Sequence, residues 1–214
     1  MHALLEPRRE SRLGIREVDA GHTDLGQSEL RSPGANLREQ RRTVEVVSIS
    51  HPQILGIPLQ VERRHWHGEE DCAATAARIA ARVSGGHAGA NAFITLEGAL
   101  GAGKTTFVRH LLRALGVKGR IKSPTYAVVE TYELPGPIVV SHFDFYRFSD
   151  PREFLDAGLR EIFERPGLKL AEWPSQAQAV LPPCDLSIEL EICGEDEREV
   201  TLTALTPTGQ GLLA

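Results

Sequence analysis

Residues 93–112 read FITLEGALGAGKTTFVRHLL, and this stretch decides the fold. Phe93-Ile94-Thr95-Leu96 is a short apolar run of strand character. Gly98-Ala99-Leu100-Gly101-Ala102-Gly103-Lys104-Thr105 then matches the phosphate-binding P-loop, in which two glycines bracket four residues and Lys and Thr follow. From Thr105 to Leu115 the period is helical. Phe107, Val108, Leu111, Leu112 and Leu115 share one face, and Gly116 supplies the stop. A Gly-rich turn of this kind aims consecutive backbone N–H groups into one cavity at a helix N-terminus, where they hold phosphate oxygens. Lys104 is placed to reach the β- and γ-phosphates, and the Thr105 hydroxyl to ligate magnesium. The reading is of a magnesium-dependent ATP-binding protein.

Downstream, Tyr126 to Tyr132 and Ile138 to Phe143 read as strands, the second leading straight into Asp144. Asp150-Pro151-Arg152-Glu153 opens a helix, with Asp150 as N-cap, Pro151 at the first helical position and Glu153 three residues after the cap. Leu168 to Ala171 is a further short strand, ending in Glu172-Trp173-Pro174. A P-loop needs an acid at the end of a neighbouring strand to hold magnesium or its waters. Asp144 and Glu172 are both candidates. Ser123-Pro124-Thr125 lies where nucleotide switches offer a hydroxyl to the γ-phosphate, though it also suits an ordinary turn. The tail alternates over Leu186 to Ile192 and again over Val200 to Leu205, which predicts a hairpin. Upstream, Glu69 to Val83 is an Ala-rich helix with acids first and Arg78 and Arg82 toward its end, as the helix dipole favours. The expected fold is α/β and P-loop NTPase-like: a mostly parallel sheet flanked by helices, with a C-terminal antiparallel hairpin.

Residues 1–68 differ from the rest. They carry 10 Arg and 9 acids, whereas residues 69–214 carry 14 Lys plus Arg against 20 acids. The first ~45 residues show no sustained apolar period, so they cannot offset chain entropy by burial. Val44 to Ile57 is apolar enough for a strand, but Pro52 and Pro58 argue against a central one. The expected organisation is a largely disordered extension over 1–68 and an ATPase domain over 69–214. The acidic body does not exclude a polynucleotide partner but gives it no charge support. No apolar run is long enough to span a bilayer and no secretory leader is evident, so a cytoplasmic location is expected. Cys72, Cys184 and Cys193 are scattered without a CxxC pair and suggest neither zinc nor disulfides. His65-Trp66-His67 with Glu69 and Glu70 reads as solvated surface, because no second cluster completes a metal site.

GALGAGKTTF, KSPTY, HFDFYR and AEWP, in this order and spacing, resemble the TsaE (YjeE) family of bacterial P-loop ATPases, from about Glu69 to the C-terminus. The family takes part in making threonylcarbamoyladenosine at position 37 of tRNA. The resemblance implies that Gly98, Ala99, Leu100, Gly101, Ala102, Gly103, Lys104, Thr105 and Thr106 bind ATP. It implies that Thr105 and Glu172 ligate Mg2+, that Asp144 serves the hydrolytic site with Lys104 and Glu172, and that Trp173 lies beside the nucleotide. It also implies TsaD and TsaB as partners, with tRNA met only through their complex. The alternative on the same fold is a small-molecule or nucleotide kinase, against which stands the lack of an Arg-rich lid. A GTP switch would need a guanine-reading segment, and none is present.

Overall fold

The computed structural model describes residues 45–48, 58–86, 89–134, 138–150 and 152–214. Eight strands form one sheet in these residues: β1 (Glu45–Ser48), β2 (Gln60–Trp66), β3 (Phe93–Gly98), β4 (Val129–Glu133), β5 (Val139–Asp144), β6 (Leu168–Glu172), β7 (Leu186–Ile192) and β8 (Arg198–Ala204). Their spatial order is β1-β2-β8-β7-β3-β6-β5-β4. The centre, β7-β3-β6-β5, is parallel, and antiparallel strands flank it on both sides. The α/β P-loop expectation therefore stands, with the parallel part confined to the core and β7–β8 forming the expected hairpin.

Alternation along the strands sorts side chains to two faces. Ile94 and Leu96 of β3 face a core shared with α1 (Glu69–Gly85) and α2 (Lys104–Ala114), where Ile79, Phe107, Val108 and Leu111 are fully buried. Phe93 and Phe143 face the other way, against α3 (Arg152–Asp156) and α4 (Leu159–Glu164) in a cluster of aromatic rings. A sheet covered on both faces is what a parallel centre requires.

Several expectations change. The boundary at residue 68 falls after β2, which pairs with β8 along its whole length from Gln60↔Ala204 to Trp66↔Arg198. Trp66 is buried and stacked on Phe107 at 6.1 Å, its indole N–H donating to Thr75 at 3.2 Å. It is core, not the solvated surface expected. β2 escaped notice because Glu62, Arg63 and Arg64 fill its middle, leaving few apolar residues to alternate. β1 lies inside the Val44–Ile57 stretch, while the disorder expected of the first residues concerns positions outside those described. The strand expected from Tyr126 begins only at Val129, because the Val128 N–H turns back to the Pro124 carbonyl at 2.6 Å. Helix α5 (Pro207–Leu213) was not expected. Thr206 caps it by accepting from the Gly209 N–H at 3.1 Å, and its two glycines hide the helical signal.

Candidate nucleotide site

The P-loop follows the tip of β3, where the chain turns sharply. Gly98 has φ of +141°, and any Cβ there would collide with the Leu190 carbonyl of β7. Only glycine lets the loop start this close to the neighbouring strand. At the other end Gly103 adopts φ of +106° and caps α2 without any side-chain acceptor. The first N–H groups of α2 therefore lack a side-chain cap and form the donor end of the helix dipole.

Lys104 is buried, with 4% of its surface exposed. Its Nζ donates to the carbonyls of Gly98 at 2.6 Å and Ala99 at 2.9 Å, and lies 3.8 Å from the centroid of the Trp173 ring. Burial lowers its pKa from the usual lysine value, while the negative charges of Glu172, Glu97 and Asp144 oppose that shift.

The two candidate acids are register partners at the ends of adjacent parallel strands, Asp144↔Glu172. They are held differently. The Thr105 hydroxyl donates to Glu172 Oε2 at 2.9 Å, and His142 Nε2 lies 2.9 Å from Glu172 Oε1. A carboxylate only accepts, so Nε2 carries the proton. Among the described residues His142 Nδ1 has no hydrogen-bond partner, although the side chain is fully buried. Asp144 Oδ2 accepts from the hydroxyls of Ser123 and Thr125, the latter at 2.6 Å, and Oδ1 accepts from the Tyr146 N–H at 3.0 Å. KSPTY thus reaches the site by holding Asp144.

Among the described residues, two non-glycine residues have left-handed backbones, and each adjoins one of these acids. Trp173, at φ of +58°, follows Glu172 directly; Val128, at φ of +66°, offers its carbonyl to the Asp144 N–H at 3.0 Å. For a β-branched residue this conformation costs about 1–3 kcal/mol and collects at functional sites.

These groups line one cavity of about 360 Å³, walled by Gly101, Gly103, Lys104, Thr105, Asp144 and Glu172 among others. Ser123, Thr125 and Trp173 line it too. A second pocket of about 170 Å³ lies on the outer side of the loop, between Trp66, Cys72, Gly101, Thr106 and Arg198. Burial, reinforced by the charge of Glu69, pushes the Cys72 thiol up to about 12, so it is a neutral wall. A larger cavity of about 610 Å³ lies against Phe93, Thr95, Leu181 and Cys184. It is mainly apolar and away from the P-loop, which makes it the poorer phosphate site. No Arg lines the P-loop cavity among the described residues. The guanidinium of Arg147 lies 4.2 Å from the centroid of the Tyr126 ring.

Sequence reading missed His142, Tyr146 and Arg198. His142 could have been found, since it stands two residues before Asp144 and so shares its strand face. Arg198 could not. Its guanidinium reaches back 96 positions to donate to Ala102 O at 3.0 Å, and also to Gly101 O at 3.3 Å.

Among known proteins, residues 66–200 match the family model described as threonylcarbamoyl adenosine biosynthesis protein TsaE. The tRNA threonylcarbamoyladenosine biosynthesis protein TsaE of Haemophilus influenzae is 38% identical over 121 residues, 56% of this chain and 75% of that protein. The protein of the same name from Bacillus subtilis is 41% identical over 112 residues, 52% of this chain and 69% of that one. The crystal structure of Bacillus subtilis YdiB superposes with a TM-score of 0.57 at 30% identity, covering 72% of this chain and 91% of that one.

Proposed function

The chain belongs to the TsaE family, and on that premise we propose that it is a magnesium-dependent ATPase of tRNA threonylcarbamoyladenosine biosynthesis, working with TsaD and TsaB. The observation that carries this reading is the joining of Thr105 and Glu172 at 2.9 Å in the cavity that also holds Lys104. A hydroxyl and a carboxylate, with Asp144 one strand away, form an oxygen-rich set of the kind magnesium takes. Thr105 and Glu172 would hold the ion, which when bound would offset negative charge on the phosphates.

The protein's own groups divide the remaining work. The uncapped start of α2 and the 98–103 loop hold the phosphates. Lys104 leaves the Gly98 and Ala99 carbonyls to meet developing charge on the transferring group. Glu172 is oriented by His142, and Thr105 and Glu172 are the metal ligands of this reading. Asp144, gripped by Ser123 and Thr125, faces the attacking water. The base occupies the pocket beside Trp66 and Arg198. With no Arg in the cavity among the described residues to stabilise the transition state, turnover is slow until TsaD and TsaB join, and an Arg supplied in trans raises such rates about 10³–10⁵-fold.

The test is ATP hydrolysis by the purified chain with and without both partners. Expected are turnover below about 1 s⁻¹ alone, a clear rise with TsaD and TsaB, and loss of activity in a folded Lys104→Ala variant. Fast hydrolysis that ignores the partners, or activity that survives Lys104→Ala, overturns the reading.

A further inference from the structure

The fold completes a cluster that the sequence leaves open. His65 lies near the end of β2, Cys193 directly after β7, and Glu197 directly before β8. The Cys193 N–H donates to the Glu197 carbonyl at 3.2 Å, closing the hairpin turn with these two residues opposite one another. β2 pairs with β8 so that His65 faces Glu199, two residues and hence one same-face step from Glu197. One ligand atom from each of His65, Cys193 and Glu197 falls within a common 4.8 Å. His65 Nε2 and Glu197 Oε2 are 3.7 Å apart. A tetrahedral centre with metal–nitrogen and metal–oxygen bonds of about 2.0–2.2 Å and metal–sulfur bonds of about 2.3 Å needs ligand separations of roughly 3.3–3.8 Å. Small rotations of the exposed Cys193 and Glu197 side chains close the difference.

A second observation points the same way. The other nitrogen of His65, Nδ1, lies 2.6 Å from the Glu199 carboxylate. An acceptor there fixes the proton on Nδ1 and turns the Nε2 lone pair toward Cys193 and Glu197. Carboxylate–imidazole pairs set metal-binding histidines in this manner. His67, one same-face step along the strand, brings its Nδ1 to 3.9 Å from Glu197 Oε1 and its ring to 4.4 Å from that of His65.

We propose that His65, Cys193 and Glu197, joined by His67, form a binding site for a borderline-soft divalent cation of the zinc type, oriented by Glu199. Imidazole, thiolate and carboxylate together select zinc or cobalt over magnesium, which prefers oxygen alone. The site ties β2 to the turn 193–197. The next residue, Arg198, donates to the P-loop carbonyls of Gly101 and Ala102 and to those of Gly194, Glu195 and Glu197. The metal thereby stiffens the outer wall of the P-loop. The inference rests on side-chain geometry alone and stands whether or not the chain hydrolyses ATP.

Cobalt titration of the full chain under reducing conditions, in excess magnesium, tests it. Expected at one equivalent is a thiolate-to-cobalt charge-transfer band with tetrahedral visible absorption, abolished in Cys193→Ser and in His65→Ala. Glu199→Gln should weaken cobalt affinity about 10–100-fold, as removal of an orienting carboxylate does. Zinc should raise the melting temperature of the wild type and leave Cys193→Ser unmoved. Because Cys193 is exposed, the metal-free variant should melt where the metal-free wild type does, which keeps folding out of the comparison. Absence of the charge-transfer band, or its survival in Cys193→Ser, overturns the site.

Discussion

Glu62 on β2 and Glu172 on β6 are both buried carboxylates, each with 3% of its side chain exposed, and they are satisfied in opposite ways. Glu62 Oε2 meets two guanidinium groups, Arg64 at 2.8 Å and Arg78 at 2.9 Å, while Oε1 accepts from Gln60 at 3.2 Å. Arg78 also reaches the Leu213 carbonyl at 3.2 Å, so one carboxylate fastens β2 to α1 and, through that arginine, to the C-terminal helix. Glu172 meets a hydroxyl and an imidazole. Its hydrogen bonds are made, but among the described residues no guanidinium pairs with it, and the nearby Lys104 ammonium feels its charge without a direct ion pair. Burying a charge without such balance is costly, so the arrangement is understandable where a cation is to be received. A carboxylate matched by arginines closes a structure; one matched by hydroxyl and imidazole prepares a site.

The largest test removes the first of these regions. A chain beginning at Glu69 loses β2, the Glu62 clamp and Trp66. Truncating a buried Trp costs about 3–5 kcal/mol, and breaking a buried ion pair about as much again. Those losses approach or exceed the ~5–15 kcal/mol by which domains are stable. The truncated chain should show no cooperative thermal transition, whereas one beginning at Pro58 should keep it. Two alike melting curves would mean that β2 does not belong to the fold's stable part.

Next comes the exchange of effects between the acids. Glu172→Ala should cut ATP turnover about 10²–10³-fold, the scale of losing one group that organises transition-state charge. Its urea denaturation should shift by only about 1–2 kcal/mol, for hydrogen bonds left unmade at Thr105 and His142. If the loss of turnover stems from metal ligation, raising magnesium should recover part of it. A Glu172→Ala protein that is active but unstable would reverse the assignment.

The smallest effect is the mirror of this. Glu62→Ala should cost about 3 kcal/mol, the low end for a buried pair because both guanidinium groups reach solvent, with turnover per folded molecule unchanged. Its pH dependence carries a sign. Burial alone would raise the Glu62 pKa, but the hydrogen bonds and charges of Arg78 and Arg64 outweigh burial and hold it below the ordinary 4.5. A lowered folded value means the stabilisation is fully present above 4.5 and fades as pH falls through the folded value. Denaturation of wild type and Glu62→Ala should therefore converge in acid. A gap that widens there would show that the arginines do not govern this carboxylate.

What the sequence made legible follows from distance along the chain. The P-loop and its helix are contiguous, and a local turn needs its glycines at fixed spacing, so the site's centre could be read directly. Asp144 and Glu172 were legible because each ends an apolar strand. β2 was not, because its inward positions include Glu62, a charge made tolerable by Arg64 on the same strand together with Arg78 on α1. Cys193 and Glu197 carry no local sign of His65, which joins them only through the pairing of β2 with β8. Lys104 was legible in identity but not in posture, since its acceptors are carbonyls and every residue has one.

That posture has a kinetic and selective meaning. The ammonium already saturates two loop carbonyls and the face of an indole, so the cradle competes with itself for its own cation. An incoming anion must displace these contacts, and its apparent affinity falls in proportion to the fraction of molecules in which the lysine is released. Free orthophosphate has few oxygens with which to compensate. On the proposed function, a triphosphate would meet the helix start, the loop and the lysine together and so offset what it displaces. On that function, the latch would favour a polyphosphate chain over free orthophosphate before any chemistry begins.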